Sequence, residues 1–443
     1  MRELPPGWAW TTFGEIIDSL RNGISAKPYS EQGLAILKIS AVRPMNLRIE
    51  ERRHLEHAAE YNSYRLSAGD LLFTRYNGNP TLVGVGAMVP ELHETLVYPD
   101  KLIRAQLKPG FHAPFFEIAV NYGDSRQWVQ SRVRTTAGQC GISGVDLKSM
   151  PVPVPPLAEQ RRIVAEIEKQ FTRLDNSIST LEAVRERLRV YAGAILSALS
   201  HPSPESCHSW TTRKLRELAD IGTGSTPYRG NEEFWRAGTI PWVTSTAVNR
   251  PFIDEPQDFV TEVALDSTVL KIYPAGTLLM AMYGEGKTRG KISELRINAT
   301  INQALAAIQI RPEWSDYREY VKLALTSAYD QIRRHACGGV QPNLNLGIVG
   351  GLDICLPPRE RVAEITEEAT RQLTEAAAVD STVTIALTCA ARLRQAILKK
   401  VFDGKLVAQD PNDEPASVLL ERIRAARVHA SARRTPRKPE VHA

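Results

Sequence analysis

Ala68-Gly69-Asp70-Leu71-Leu72 returns 207 residues later as Ala275-Gly276-Thr277-Leu278-Leu279. The echo is not isolated. Trp10-Thr11-Thr12 recurs as Trp210-Thr211-Thr212, Pro155-Pro156 as Pro357-Pro358, and Val164-Ala165-Glu166-Ile167 as Val362-Ala363-Glu364-Ile365. A period near 200 residues is far longer than the 20–50 residues of a solenoid repeat. It makes each half a full domain followed by a further segment. The chain therefore reads as a pseudo-dimer whose two modules grip related things at a set spacing.

Within each half the texture is mixed α/β. Short apolar runs bounded by Gly, Pro and Asn predict strands at 34–39, 69–73 and 277–282. Helices are predicted over 115–133 and 317–334. The segments that follow the two modules differ from them. From Pro156 no Pro or Gly occurs until Gly193, and Val164, Ile167, Phe171, Leu174, Ile178, Leu181, Leu188, Ala192, Ile195 and Leu199 form a heptad seam broken only at Arg185. The second segment offers Val362, Ile365, Ala369, Ala376, Val379, Val383, Ala386, Ala390, Leu393 and Ile397, interrupted at Gln372. Large residues dominate the first seam and small ones the second, which suits close packing. Long helices with an apolar stripe are poorly stable alone. Pairing them antiparallel gives two heads on a helical rod with a pseudo-two-fold axis. After Gly404 the chain turns polar, with a short helix expected at 416–428 and a basic tail cluster of Arg422, Arg424, Arg427, Arg433, Arg434, Arg437 and Lys438.

At 443 residues with 43% hydrophobic content, both halves can bury a core. A net charge of +5 suits a polyanionic partner without demanding one. The five cysteines are scattered and contain no C-x-x-C pair, which argues against a disulfide framework or a zinc site. The N-terminus lacks the pattern of a signal peptide and no run approaches 18 apolar residues, so a cytoplasmic protein that makes no use of a membrane is expected.

Catalytic patterns mostly fail. Ala281 to Thr288 resembles a relaxed phosphate loop, but Ala281 stands where the first glycine belongs and Gly290 falls where a helix should start. Pro99-Asp100 with Asp146-x-Lys148 fits a nuclease pattern only as two short chance matches. Asn79-Pro80 is half of an Asn-Pro-Pro-aromatic methyltransferase motif, without the glycine-rich cofactor loop. What stands out is a set of Gly-rich, basic and aromatic loops in matching places. The first half supplies Arg75, Tyr76, Asn77 and Asn79, with Gln139 before its long helix. The second supplies Thr226, Tyr228, Arg229, Tyr283, Lys287, Thr288, Arg289, Lys291 and Gln341. Arg can fork onto guanine, Asn and Gln onto adenine, and Lys can hold phosphate, while glycines bring the backbone close to a duplex.

Pro155-Pro156-Leu157-Ala158-Glu159-Gln160-Arg161-Arg162-Ile163-Val164-Ala165 resembles the central repeat of the specificity subunits of type I restriction-modification enzymes. Leu393-Arg394-Gln395-Ala396-Ile397-Leu398 with Phe402-Asp403-Gly404-Lys405-Leu406-Val407 resembles the end of their second repeat. The second copy shortens the Pro-Pro-Leu-x-Glu-Gln lead by about one turn. The resemblance implies target recognition domains at 1–152 and 201–355, spacer helices at 153–200 and 356–408, and a basic tail at 409–443. It implies that each head reads half of a split double-stranded DNA site and that the helices act as a ruler. Adding four residues to a helix would then add about 6 Å and lengthen the spacer. It further implies a non-catalytic chain without a cofactor of its own. Two methyltransferase subunits that use S-adenosylmethionine on adenine, and motor-nuclease subunits, would be its partners. Two alternatives remain open on the residues: a two-headed protein-binding scaffold, and an enzyme using the 281–288 loop.

Overall fold

The computed structural model describes residues 2–25, 32–56, 59–136, 138–200, 209–283, 288–329 and 344–434. The chain divides into two compact units, 1–179 with 387–443, and 180–386. The first unit thus draws on both ends of the chain.

In the first unit a four-stranded sheet carries Ile17–Asn22, Leu102–Leu107, Leu71–Thr74 and Gly86–Met88 in that spatial order. The strand Leu71–Thr74 shows why it is central: all four residues are buried. Leu71 and Phe73 face one core with Ile103, Phe115 and Phe116, and Leu72 faces another with Ala87, Leu96 and Leu102. That is the two-residue period of a strand covered on both faces. A smaller sheet orders Leu96–Val97, Leu34–Leu37 and Arg52–Leu55. Ala9–Thr12 pairs antiparallel with Pro151–Val154 and ties the start of the lobe to its end.

The second unit repeats this plan. Ala219–Thr223, Leu305–Ile310, Leu278–Ala281, Ile292–Leu295 and the added Phe252–Ile253 form its main sheet. Thr300–Ile301, Ile240–Val243 and Asp258–Val260 form the small one. The parallel and antiparallel pairings inside the two small sheets match. Thr211–Lys214 pairs antiparallel with Asp353–Leu356, as at the base of the first lobe. Gly69 and Gly276 both take the left-handed backbone, φ +85° and +88°, ahead of the equivalent strands, so the shared Ala-Gly step is a turn requirement.

The register corrects one sequence match. Each opening strand is followed by a one-turn helix, Phe13–Ile16 or Leu215–Leu218, and on that frame Trp8, not Trp10, corresponds to Trp210. Trp8 meets Phe115 edge-on at 6.0 Å, and Trp210 meets Tyr320 edge-on at 6.3 Å. Both partners are the third residue of the lobe's helix. The Trp-Thr-Thr match by letters lies two residues away from the packing equivalence.

The helices predicted over 115–133 are two, Ala113–Asn121 and Gly123–Arg132, broken where Gly123 adopts φ +63°. In the second lobe the helix is Arg318–Ser327, preceded by a 3₁₀ turn. The part of the expected helix from 330 onward lies outside the described residues.

Two 44-residue helices, Leu157–Ser200 and Arg359–Phe402, begin directly after their Pro-Pro pairs. The second lead is therefore substituted, not shortened. In the first unit Val164 and Ile167 share a core with Leu398, Val401 and Phe402. One turn further along, Phe171 lies under the Arg394 guanidinium, at 4.6 Å, and Asp175 pairs with the same arginine. In the second unit Leu199 shares a core with Val362 and Ala369. In each unit the two helical segments run antiparallel. The second helix buries Val362, Ala369, Ala376, Val383, Ala390 and Ile397 at steps of seven. Its other line is Thr366, Leu373, Asp380, Leu387, Arg394 and Val401, while the expected seam members Val379 and Leu393 stay exposed, 45% and 52%. Val184 fills the gap left at Arg185. Among the described residues this second helix alone is long and apolar enough to cross a membrane by length and composition. Its Ala- and Thr-rich middle raises the hydropathy without an 18-residue apolar run.

Gln160 is fully buried at the first helix start. Its Nε2 donates to the Pro155 carbonyl and its Oε1 accepts the His112 N–H, each at 2.9 Å. In the second lobe Val362 stands at that place, and the Tyr317 hydroxyl donates straight to the Pro357 carbonyl at 2.8 Å. Both lobes satisfy the same buried carbonyl by different donors, as burial demands.

The polar segment after Gly404 contains a helix, Ala416–Arg434. It sets Ala416, Leu419, Leu420 and Ile423 on one face, and Ala416 and Leu420 join the first lobe's core. The expected short helix is thus longer and docked, because that i, i+3, i+4, i+7 stripe needs a partner. Arg424 pairs with Glu15 at 2.8 Å and holds its carboxyl below the usual range. Leu420→Ala is expected to cost about 2–5 kcal/mol, whereas Arg424→Ala, at a half-exposed pair, should cost less than about 1 kcal/mol. Thermal unfolding of the two variants checks the order.

Candidate nucleic-acid interface

In each lobe the candidate loops lie where the central strand, Leu71–Thr74 or Leu278–Ala281, turns into its antiparallel neighbour. The backbone frame there is the same in both. Arg75 N–H donates to the Lys101 carbonyl and Met282 N–H to the Ala304 carbonyl, at 2.8 Å each. Ile142 N–H donates to the Arg75 carbonyl, and Leu344 N–H to that of Met282. Tyr76 and Tyr283, one residue further on, are therefore equivalent.

In the first lobe the strand Tyr76–Asn77 pairs with Gln139–Gly141, which pairs with Arg134–Thr136. Tyr76, Asn77 and Gln139 are thereby brought together, with Gln139 exposed. The half-buried Arg75 stacks at 4.8 Å on Tyr76 and donates to the Asp100 carbonyl at 3.4 Å. Asn79 caps the 3₁₀ turn Pro80–Leu82, its Oδ1 accepting from the N–H and hydroxyl of Thr81. Asn77 Oδ1 accepts the Asn79 N–H at 2.9 Å. Asn79-Pro80 is thus part of a capped turn.

In the second lobe Thr226 donates to Gln303 Oε1. Gln303 is exposed and sits one residue before Ala304, which holds the frame of Tyr283. Sequence reading missed Gln303: it stands between two short strands with no glycine or basic neighbour to flag it. Lys291 donates to Asn249 Oδ1 at 2.8 Å, and its own N–H to the Thr288 carbonyl. Arg289 is half-buried beside Gly290. Lys287 and Gln341 lie outside the described residues.

Arg229 is engaged within the protein. It pairs with Asp258 at 2.6 Å and lies 3.6 Å over Trp235, and it holds the Asp258 carboxyl below its usual range. Its neighbour Tyr228 is 76% exposed.

The glycines before these loops have an internal reason. A Cβ on Gly224 would sit 1.6 Å from the Ile301 carbonyl oxygen, and one on the equivalent Gly23 would sit 2.2 Å from that of Pro99. They let the backbone approach its own sheet. The 281–288 segment continues into a strand, Met280 pairing with Ile292 antiparallel. A phosphate loop requires a helix there, so the nucleotide-binding alternative fails on topology. Asp146 is held in a capping box with Ser143, which accounts for one member of the nuclease-like pattern. Among the described residues no group of three or more His, Cys, Asp or Glu could hold a metal ion.

Two like-folded α/β lobes, each followed by a 44-residue helix and each ending its central strand in a polar loop on one shared frame, define a class of tandem-lobe proteins. Residues 208–374 match the family model described as the type I restriction modification DNA specificity domain. The chain is 44% identical over 167 residues to the type I restriction enzyme EcoKI specificity subunit of Escherichia coli (strain K12), covering 37% of this chain and 36% of that protein. It thus spans about a third of that relative's length. It is 22% identical to the type I restriction enzyme StySPI specificity subunit of Salmonella potsdam, over 98% of this chain and 99% of that one. A solved chain described in work on complex assembly and conformational transition of the type I R-M system shares the fold, with TM-score 0.73, 20% identity, and coverage of 91% of this chain and 100% of that one. By these comparisons the second half of the chain matches the type I restriction modification DNA specificity domain, and the chain as a whole is similar to the specificity subunits of type I restriction-modification systems.

Proposed function

We infer that this chain is the DNA-reading, non-catalytic subunit of a type I restriction-modification complex. Each lobe reads half of a split duplex site through the loops at the end of its central sheet. The chain recruits two methyltransferase subunits, which hold S-adenosylmethionine and methylate adenine, together with motor-nuclease subunits. The recognition domains are 1–152 and 201–355, with helical repeats at 153–200 and 356–408. Residues Arg75, Tyr76, Asn77 and Gln139 in one lobe, and Thr226, Tyr228, Tyr283, Lys287, Thr288, Arg289, Lys291 and Gln341 in the other, are its contact set. Asn79 and Arg229 support their loops.

The observation that carries this reading is the duplicated backbone frame beneath two unlike polar loops, in a chain similar to this family. A duplex half-site offers one repeated element, the phosphate backbone, and one variable element, the base edges. A common frame with divergent loops suits both. Genome-wide mapping of methylated adenines, with and without the gene, is the test. Loss of one split motif on deletion is expected; an unchanged methylation map would overturn the reading.

A further inference from the structure

Resting on the reading above, we propose that each lobe combines a shared anchor with a private reader: Tyr76 and Tyr283 contact the DNA backbone alike at both half-sites, and Gln303, positioned by Thr226, reads a base in the second half-site only.

The anchor follows from register. Within lobes whose loops share little else, the residue after Arg75 and after Met282 is tyrosine both times. The same pair of backbone hydrogen bonds fixes both positions. Tyr283 is 38% exposed and Tyr76 half-buried. A phenol held by this frame just beyond the central strand can donate to a phosphate oxygen and lay its ring on a sugar. Neither contact depends on base identity. Two halves of a split site differ in sequence, so a residue kept at both positions suits the invariant part of the duplex.

The reader follows from contrast. The first lobe connects its small sheet to its main sheet through Tyr98, Pro99, Asp100 and Lys101, and the second through Asn302, Gln303 and Ala304. The carboxylate-bearing Asp100 and the amide-bearing Gln303 thus occupy corresponding connections. Gln303 is exposed, yet its amide is not free to turn, because Oε1 accepts the Thr226 hydroxyl from a loop 77 residues away. A carboxamide oxygen has a second lone pair and its nitrogen two protons. The bonded amide can therefore still present the donor–acceptor pair that matches adenine N7 and N6. Fixing the rotamer before binding removes an ordering cost and sharpens the choice of base.

The test uses the full chain expressed with the methyltransferase subunit of its own system, reading methylated adenines across the genome. Wild type defines the split motif. Gln303→Ala is expected to relax one position of one half-site, with discrimination there falling about tenfold. Gln303→Glu should move that position toward cytosine, whose amino group a carboxylate accepts. This second variant keeps the size and exposure of the side chain, so a loss of folding does not mimic its effect. Tyr76→Phe and Tyr283→Phe should each lower methylation or DNA affinity about tenfold at every site while leaving the motif unchanged. The proposal is overturned if Gln303→Glu leaves both half-sites as they were, if it alters the half-site that the first lobe reads, or if either Tyr→Phe variant changes the motif or leaves affinity intact. Absence of any split motif with wild type would instead sink the DNA-reading function itself, and this proposal with it.

Discussion

Gly224→Ala is expected to open the second lobe. The added methyl would stand 1.6 Å from the Ile301 carbonyl oxygen and 2.4 Å from the carbonyl carbon. Those atoms belong to backbone, not to a side chain that could swing away. The same oxygen accepts the Ser225 N–H at 3.0 Å, so separating the strands to admit the methyl also breaks the bond that joins the main sheet to the small one. Overpacking a well-filled site costs about 1–3 kcal/mol and more where nothing can yield; here the upper end or beyond is expected. Gly23→Ala should act alike in the first lobe, where Pro99 and Tyr98 carbonyl oxygens lie 2.2 and 2.3 Å from the added carbon. Hydrogen exchange resolves the two. Gly224→Ala should raise amide exchange in 219–310 and spare 17–107, and Gly23→Ala should do the reverse. Unchanged protection in the substituted lobe would show that the two sheets are not coupled through this contact.

That pair of glycines also shows how far sequence reasoning reaches. The repeat, the two long helices and the mixed α/β lobes were legible because each leaves a periodic trace: echoing turns, a seam at steps of three and four, alternating buried residues. Equivalence between the lobes was less legible, because it lives in register. Trp10 matched Trp210 by letters, whereas Trp8 matches it by the aromatic it packs on. Gln160 and Val362 look unrelated, and the missing amide reads as a shortened helix until Tyr317 is seen bonding the same carbonyl. The membership of the second seam was drawn along Ile365, Val379 and Leu393, since hydrophobicity marks those positions. Ile365 does pack against the second lobe's core, but Val379 and Leu393 are exposed, and the buried to half-buried line runs instead through Thr366, Asp380 and Arg394, the last paired with Asp175. For the candidate interface, glycine and charge flagged the loops after the central strands, where Asn79 and Tyr283 are exposed and Arg75, Tyr76, Asn77 and Arg289 are half-buried. They also flagged Arg229, which in the structure is engaged by Asp258 and two tryptophans. Gln303 carried no local signal, since its partner Thr226 is remote in sequence.

Arg104→Ala is expected to destabilise the first lobe by about 3–5 kcal/mol, and further substitutions should restore much of the loss. Asp70 and Arg104 form a nearly buried pair at 3.8 Å. Asp70 also accepts the Ser67 N–H at 2.9 Å, and Arg104 donates to the Arg65 carbonyl at 2.6 Å. Burial still pushes the Asp70 carboxyl above its usual value, with Ser67 and Arg104 pulling against it. Removing the arginine alone leaves a carboxylate in a site that already disfavours it, which is the costly way to break a buried pair. The second lobe shows the alternative. Register places Ala307 where Arg104 stands, opposite Leu279 and Leu72 respectively. Thr277 replaces Asp70, and Pro274, which has no N–H to satisfy, replaces Ser67. There the Thr277 hydroxyl donates to the Pro274 carbonyl at 2.7 Å. The three residues form a consistent set, so Ser67→Pro/Asp70→Thr/Arg104→Ala should be more stable than Arg104→Ala alone. pH separates the cases. A carboxyl with a raised folded pKa holds its proton more tightly when folded, so its contribution to stability falls as pH rises from the ordinary aspartate range through the raised value. Arg104→Ala should extend that decline to higher pH, and the triple variant should lack it. Equal stability of the single and triple variants at neutral pH, or an identical pH slope, would mean that the pair is solvated and that the second lobe's apolar version is no solution to its cost.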